Sequence, residues 1–82
     1  MSKLQEIRKS RNLSQAKLAE EATVNYRALT EYESGKRDIN GAKLKTLLKL
    51  CIVLKCDLAD ILEDPELLRL LEYYNKRKSA EV

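Results

Sequence analysis

Histidine is missing from this 82-residue chain, and so are tryptophan and phenylalanine. Without histidine the chain lacks the usual general base near neutral pH and the commonest metal ligand. No paired carboxylates mark an evident pocket either, so no catalytic residue, metal site or cofactor is expected. Two cysteines, Cys51 and Cys56, make neither a zinc site nor a disulfide framework without histidine beside them. On a continuous helix they would point roughly 140° apart. They therefore read as two separate, buried, reduced thiols of a cytosolic protein. No apolar run approaches membrane-spanning length, and the N-terminus has no signal-peptide pattern.

Two glycines and one proline leave few breaks, and leucine-rich composition with abundant Lys, Arg and Glu favours an all-α domain. A chain this short supports one small core, which must be aliphatic because four tyrosines are its only aromatics. The net charge of +3 is unevenly placed. Eleven basic residues precede Cys51 against six acidic ones, whereas from Asp57 to Glu72 six acids face only Arg69. A basic front half suggests a polyanionic partner; a solvated surface of mixed charge is the plainer alternative.

Start signals divide the chain. Ser2 can cap a helix carrying Leu4 and Ile7, and Ser14 a short one with Leu18, Ala19 and Ala22 inward. Asn25 can cap a third helix that runs to about Ser34 and ends at Gly35. Asn40 is the candidate cap of a fourth, where the run "LCIVL" is apolar on nearly all sides and predicts the most buried helix. Asp57 caps a short fifth helix, and Asp64-Pro65-Glu66 opens a last one with the stripe Leu67, Leu70, Leu71 and Tyr74. Basic residues at Lys76 to Lys78 suit its C-terminal end, and the closing "SAEV" is expected to fray.

Val24, Leu29 and Tyr32 anchor the third helix, which leaves Tyr26, Arg27, Thr30, Glu31 and Ser34 on one continuous face. Two short helices joined by a tight turn, the second offering a polar face, resemble a helix-turn-helix. In that motif the second helix enters the DNA major groove. On chemistry alone, the Arg27 fork suits guanine O6 and N7. Glu31 can accept from cytosine N4, or hold Arg27 four residues before it, which we favour. The Ser14 helix start can hold a phosphate besides its capping role.

The spacing Gln15, Leu18, Ala19, Val24, Leu29, Glu33, Gly35 resembles the lambda repressor-like, or Cro/C1-type, helix-turn-helix family. The matching segment is "QAKLAEEATVNYRALTEYESG", and the likeness extends from about Leu4 to Leu62. The resemblance implies a five-helix DNA-binding domain, here with an additional C-terminal helix. It implies double-stranded operator DNA as partner, bound by a homodimer on a roughly palindromic site. Its base-reading positions fall at Gln15, Tyr26, Arg27, Ala28, Thr30 and Glu31. Phosphate contacts fall at Lys36, Arg37, Asn40 and Lys43, with Ser14 beside them. It also implies a structural pair, Arg8 with Glu33. The family's turn glycine is replaced by Thr23, so the turn is expected either to differ or to carry strain.

The expected division is residues 1–64 as the DNA-binding domain and 65–82 as an amphipathic helix with a basic tail. That helix must bury Leu67, Leu70, Leu71 and Tyr74 against its own domain or against a second chain. The function expected is a cytoplasmic transcriptional regulator, most simply a repressor. Two rivals keep the same fold: an antitoxin-type autoregulator with a toxin partner, and a protein-interaction module without DNA.

Overall fold

The computed structural model describes residues 2–80 and, among them, an all-α chain of six helices with no strand. They are α1 (Lys3–Ser10), α2 (Gln15–Ala22), α3 (Tyr26–Ser34), α4 (Leu44–Leu54), α5 (Leu58–Ile61) and α6 (Pro65–Ala80), with one 3-10 turn at Ile39–Gly41. The caps follow the sequence closely. Ser2, Ser14 and Asn25 each accept from a backbone N–H three residues on, at 3.0 Å. Asp64 accepts from Glu66 N–H to open α6, and Gly35 closes α3 at φ 84°. Of the end expected to fray, Ser79 and Ala80 continue α6, while Glu81 and Val82 lie outside the described residues.

The core is aliphatic: Leu4, Leu18, Leu29, Leu50, Leu54 and Ile61 are fully buried at its centre. Two charged residues are buried among them, Arg8 and Glu33. Arg8 donates Nε to Glu33 Oε2 at 2.7 Å, Nη2 to Glu33 Oε1 at 3.0 Å, and Nη1 to the Leu13 carbonyl at 2.7 Å. Gln15 adds a fourth bond, donating Nε2 to Glu33 Oε1 at 3.0 Å. No buried side-chain nitrogen or oxygen among the described residues lacks a partner. The charges are thus compensated, which is the condition for burying them at tolerable cost.

Several long basic side chains hold the helix ends together instead of facing outward. Arg11 donates to the Leu54 carbonyl at the end of α4, and Lys3 to the carbonyls of Ala59 and Leu62 around α5. Both supply cationic donors where helix C-termini leave carbonyls unpaired. Part of the charge of the front half is therefore committed to intramolecular bonds.

Three expectations change. Asn40 does not cap α4; it sits in the 3-10 turn, and its Oδ1 accepts from Glu63 and Asp64 N–H at 2.8 and 2.9 Å. Lys43 takes the cap position and makes no side-chain capping bond. Second, α4 is not buried all round. Leu47, Leu50, Cys51 and Leu54 face the core, whereas Leu44, Leu48 and Ile52 are 60%, 44% and 75% exposed. Those three recur every fourth residue and form one outward stripe. An apolar run records composition, but only the neighbours α2 and α5 decide which face finds cover. Third, the cysteines are not separated. The helix stops at Leu54, Lys55 turns left-handed (φ 54°), and Cys56 N–H returns to the Cys51 carbonyl at 3.1 Å.

Thr23 is also left-handed, at φ 54° and ψ 47°. The turn between α2 and α3 thus keeps the geometry glycine would favour, imposed on a β-branched residue. A non-glycine residue there costs on the order of 1–2 kcal/mol. Because glycine also loses more entropy on folding, Thr23→Gly should raise unfolding stability by only about 0.5–1 kcal/mol in urea titration. Glu33→Ala should lower it by about 3–5 kcal/mol, because Arg8 is left buried and unpaired. An unchanged urea midpoint for the Glu33 variant would contradict the structural role of the pair.

Candidate nucleic-acid interface

Leu29, Tyr32 and Glu33 fasten α3 to the core, and Val24 and Ala28 pack against it half-buried. The opposite face carries Tyr26, half exposed, and Arg27, whose side chain is 82% exposed. Asn25 caps the helix, its Oδ1 accepting from Ala28 N–H, so Tyr26 and Arg27 stand in the first turn. Thr30 folds back, its hydroxyl donating to the Arg27 carbonyl at 2.8 Å.

Glu31 is the electrostatic centre of this face. Arg37 donates Nη2 and Nε to Glu31 Oε1 at 2.7 and 3.1 Å, while Arg27 Nε lies 3.6 Å from Oε2. One carboxylate is therefore shared by two arginines, one on α3 and one in the following loop. Arg37 also lies over the Tyr32 ring, 5.7 Å from its centroid. The Arg37 hydrogen bond, with the nearby positive charges of Arg37, Arg27 and Lys36, holds the Glu31 carboxyl below its usual range. A carboxyl lowered in this way keeps its ion pairs above that range and loses them as pH falls through the lowered value. The expected Glu31–Arg27 contact is present, but the closer bonds go to Arg37, six residues away, beyond the reach of helical spacing rules.

The remaining sequence candidates divide. Lys36 and Lys43 are exposed beside Arg37. Ser14 is engaged as the α2 cap. Gln15 is half-buried with its amide nitrogen committed to Glu33, so its carbonyl is the group left to face outward. Ala28 leans on the core and offers at most a methyl edge. Asn40 has its Oδ1 occupied by Glu63 and Asp64 and its Nδ2 bound to Asp38 at 2.8 Å. It braces the α5–α6 junction. Arg8 and Glu33 form the pair the resemblance implies.

Sequence reasoning missed a cleft of about 260 Å³ beside α3, lined by Thr23, Asn25, Tyr32, Arg37, Lys43, Thr46 and Lys49 among others. Lys49 reaches across it towards the Thr23 carbonyl at 3.4 Å. Lys43 at the cap of α4 and Thr46 and Lys49 on it stand three apart, so helical spacing alone could have grouped them. Three cations, Arg37, Lys43 and Lys49, around a cleft of mixed polarity next to an exposed helix face suit a phosphate backbone. Among the described residues, no group of three or more Cys, Asp or Glu could hold a metal ion. Nor is any helix long and apolar enough to cross a membrane.

A family model of the Cro/C1-type HTH DNA-binding domain matches residues 3–66. No curated protein matches the chain. The matched span takes in all of α1 to α5, the Thr23 turn and the cleft.

Glu31→Gln removes the internal counter-charge of both arginines. It should tighten binding to random-sequence duplex severalfold and steepen the log–log salt slope by about one. Fluorescence anisotropy across a salt series reads both, and a lower random-duplex affinity would show that Glu31 does not restrain the arginines.

Proposed function

The chain belongs to the Cro/C1-type helix-turn-helix DNA-binding family, and from that premise we propose a sequence-specific transcriptional regulator that lays α3 in the major groove. The observation that carries this reading is the exposed first turn of α3, with Arg27 projecting and linked through Glu31 to Arg37 at a cleft of cations. Arg27 is the specificity residue, its fork matched to a guanine edge, with Tyr26 against a thymine methyl or a neighbouring phosphate. Lys36, Arg37, Lys43 and Lys49 take the backbone, which sets affinity and salt dependence and leaves sequence choice to Arg27. Gln15, Thr30 and Ala28 border the reading surface. The simplest action is repression by occupancy in the cytoplasm, with no catalysis.

A dimer on a palindromic site follows from the size of one reading helix, which covers only half a site. In this division, residues 1–64 bind DNA and 65–82 assist association. The α6 stripe supports a divided role: Leu67 and Leu71 are half-buried against the core, while Leu70 and Tyr74 are exposed, with Tyr73 beside them. A second reading, an antitoxin-type regulator that holds a protein partner, is favoured by the additional bare stripe of Leu44, Leu48 and Ile52.

Arg27→Ala should cost on the order of 10-fold or more on a selected operator and little on random duplex. Lys49→Ala should weaken both alike and lower the salt slope by about one. Binding titrations on both duplexes separate the two, and equal losses for Arg27→Ala would remove it as the reader. Sedimentation of Leu70→Lys/Tyr74→Lys should report a monomer where the parent is a dimer. A parent that stays monomeric even on operator DNA favours the second reading.

A further inference from the structure

The turn that ends α4 places the chain's two cysteines against each other. Left-handed Lys55 reverses the backbone, so Cys56 N–H bonds the Cys51 carbonyl at 3.1 Å. The two thiols lie close enough for each to perturb the other's titration. Cys51 is buried and Cys56 half-buried. Both line an open groove of about 480 Å³ between α4, α5 and α6, whose walls include Leu48, Ile52, Leu58 and Leu71. A small molecule can therefore reach Cys56 without the helices separating.

We propose that Cys51 and Cys56 form an oxidisable two-thiol site, in which Cys56 attacks a small-molecule disulfide and Cys51 resolves the product into an internal disulfide. The asymmetry of the pair assigns the roles: Cys56 is half-buried at the groove, and Cys51 is buried behind it. Attack by the Cys56 thiolate, its proton passing to water, breaks the S–S bond of the reagent. One reagent thiolate leaves and is protonated. The Cys51 thiolate then attacks Cys56 Sγ, forms the Cys51–Cys56 bond and expels the second reagent thiol. Two protein thiols are oxidised, and one external disulfide is reduced to two thiols.

The surroundings set the pace. Burial pushes the Cys51 thiol up to about 12, assisted by the neighbouring Cys56, Asp60 and Asp57. Burial also raises Cys56, against the lowering effects of the Cys51 hydrogen bond and of Arg11. Little thiolate exists near neutrality, so the reduced pair persists in a reducing compartment. Once Cys56 carries the mixed disulfide, the second attack is intramolecular. Effective molarities on the order of 10⁵ M for well-placed groups offset the small thiolate fraction of Cys51. The backbone hydrogen bond between the two residues keeps them adjacent for that second step.

The test treats the native full chain with oxidised glutathione and follows intact mass. The expected product has lost two hydrogens, carries no glutathione, has no free thiol and remains one chain on a non-reducing gel. Cys51→Ser should stop at a single glutathione adduct on Cys56. Accumulation of that adduct in the parent, a disulfide-linked pair of chains, or no reaction at either thiol would overturn the proposal. A second measurement is independent of how the variant folds. Phenylarsine oxide, which bridges two nearby thiols, should protect both cysteines of the folded parent from maleimide; protection of one or neither also overturns it.

Discussion

The buried pair of Arg8 and Glu33 is the constraint on which the rest of the domain depends. Its hydrogen bonds tie α1 to α3, to the carbonyl of Leu13 in the first turn, and through Gln15 to the start of α2. An apolar core of leucines is tolerant about the rotation of a short helix, because one methyl group substitutes well for another. A bidentate guanidinium–carboxylate contact is not tolerant, since a small rotation of α3 would unpair both charges in a place without water. The orientation of the outward face of α3 is set by what its inward face must satisfy. This is how a structural residue governs a surface it never reaches.

A second constraint is the economy of a small hydrophobic core. With α5 only one turn long, α4 is covered on one side, and the opposite stripe of Leu44, Leu48 and Ile52 is left bare. The first half of α6 leans on the core through Leu67, Leu68 and Leu71, while every side chain from Glu72 to Arg77 is exposed. The domain carries more apolar surface than one copy can hide. Such surface is a standing preference for association. The acidic back half around α5 and the basic cleft beside α3 lie on different elements, so association and nucleic-acid binding need not compete for the same residues.

Much of this fold was legible from short-range chemistry. Caps at Ser2, Ser14, Asn25 and Asp64, and the stop at Gly35, are decided within three or four residues, and the chain follows them. Asn40 misled because its side chain is claimed by Glu63 and Asp64, more than twenty positions away. The cysteines misled because helical spacing was carried past Leu54, where Lys55 breaks the helix without glycine to announce it. Helical spacing could have grouped Lys49 with Lys43 and Thr46, but that the group faces the Thr23 turn is a tertiary matter. The Arg27 side of Glu31 was visible as an i,i+4 pair, and the stronger Arg37 side was not.

The shared carboxylate of Glu31 has a kinetic consequence for a DNA-binding chain. A regulator spends most of its time among decoy sequences, which outnumber its operator by many orders of magnitude. Each cation that is free to grip any phosphate prolongs those futile visits. Arg27 and Arg37 are both partly neutralised from within, which in the proposed regulator would shorten each visit to a wrong sequence. At a site that offers a guanine edge and well-placed phosphates, the arginines can exchange Glu31 for the duplex. On the proposed function, a residue that repels DNA would thus shorten the search for it.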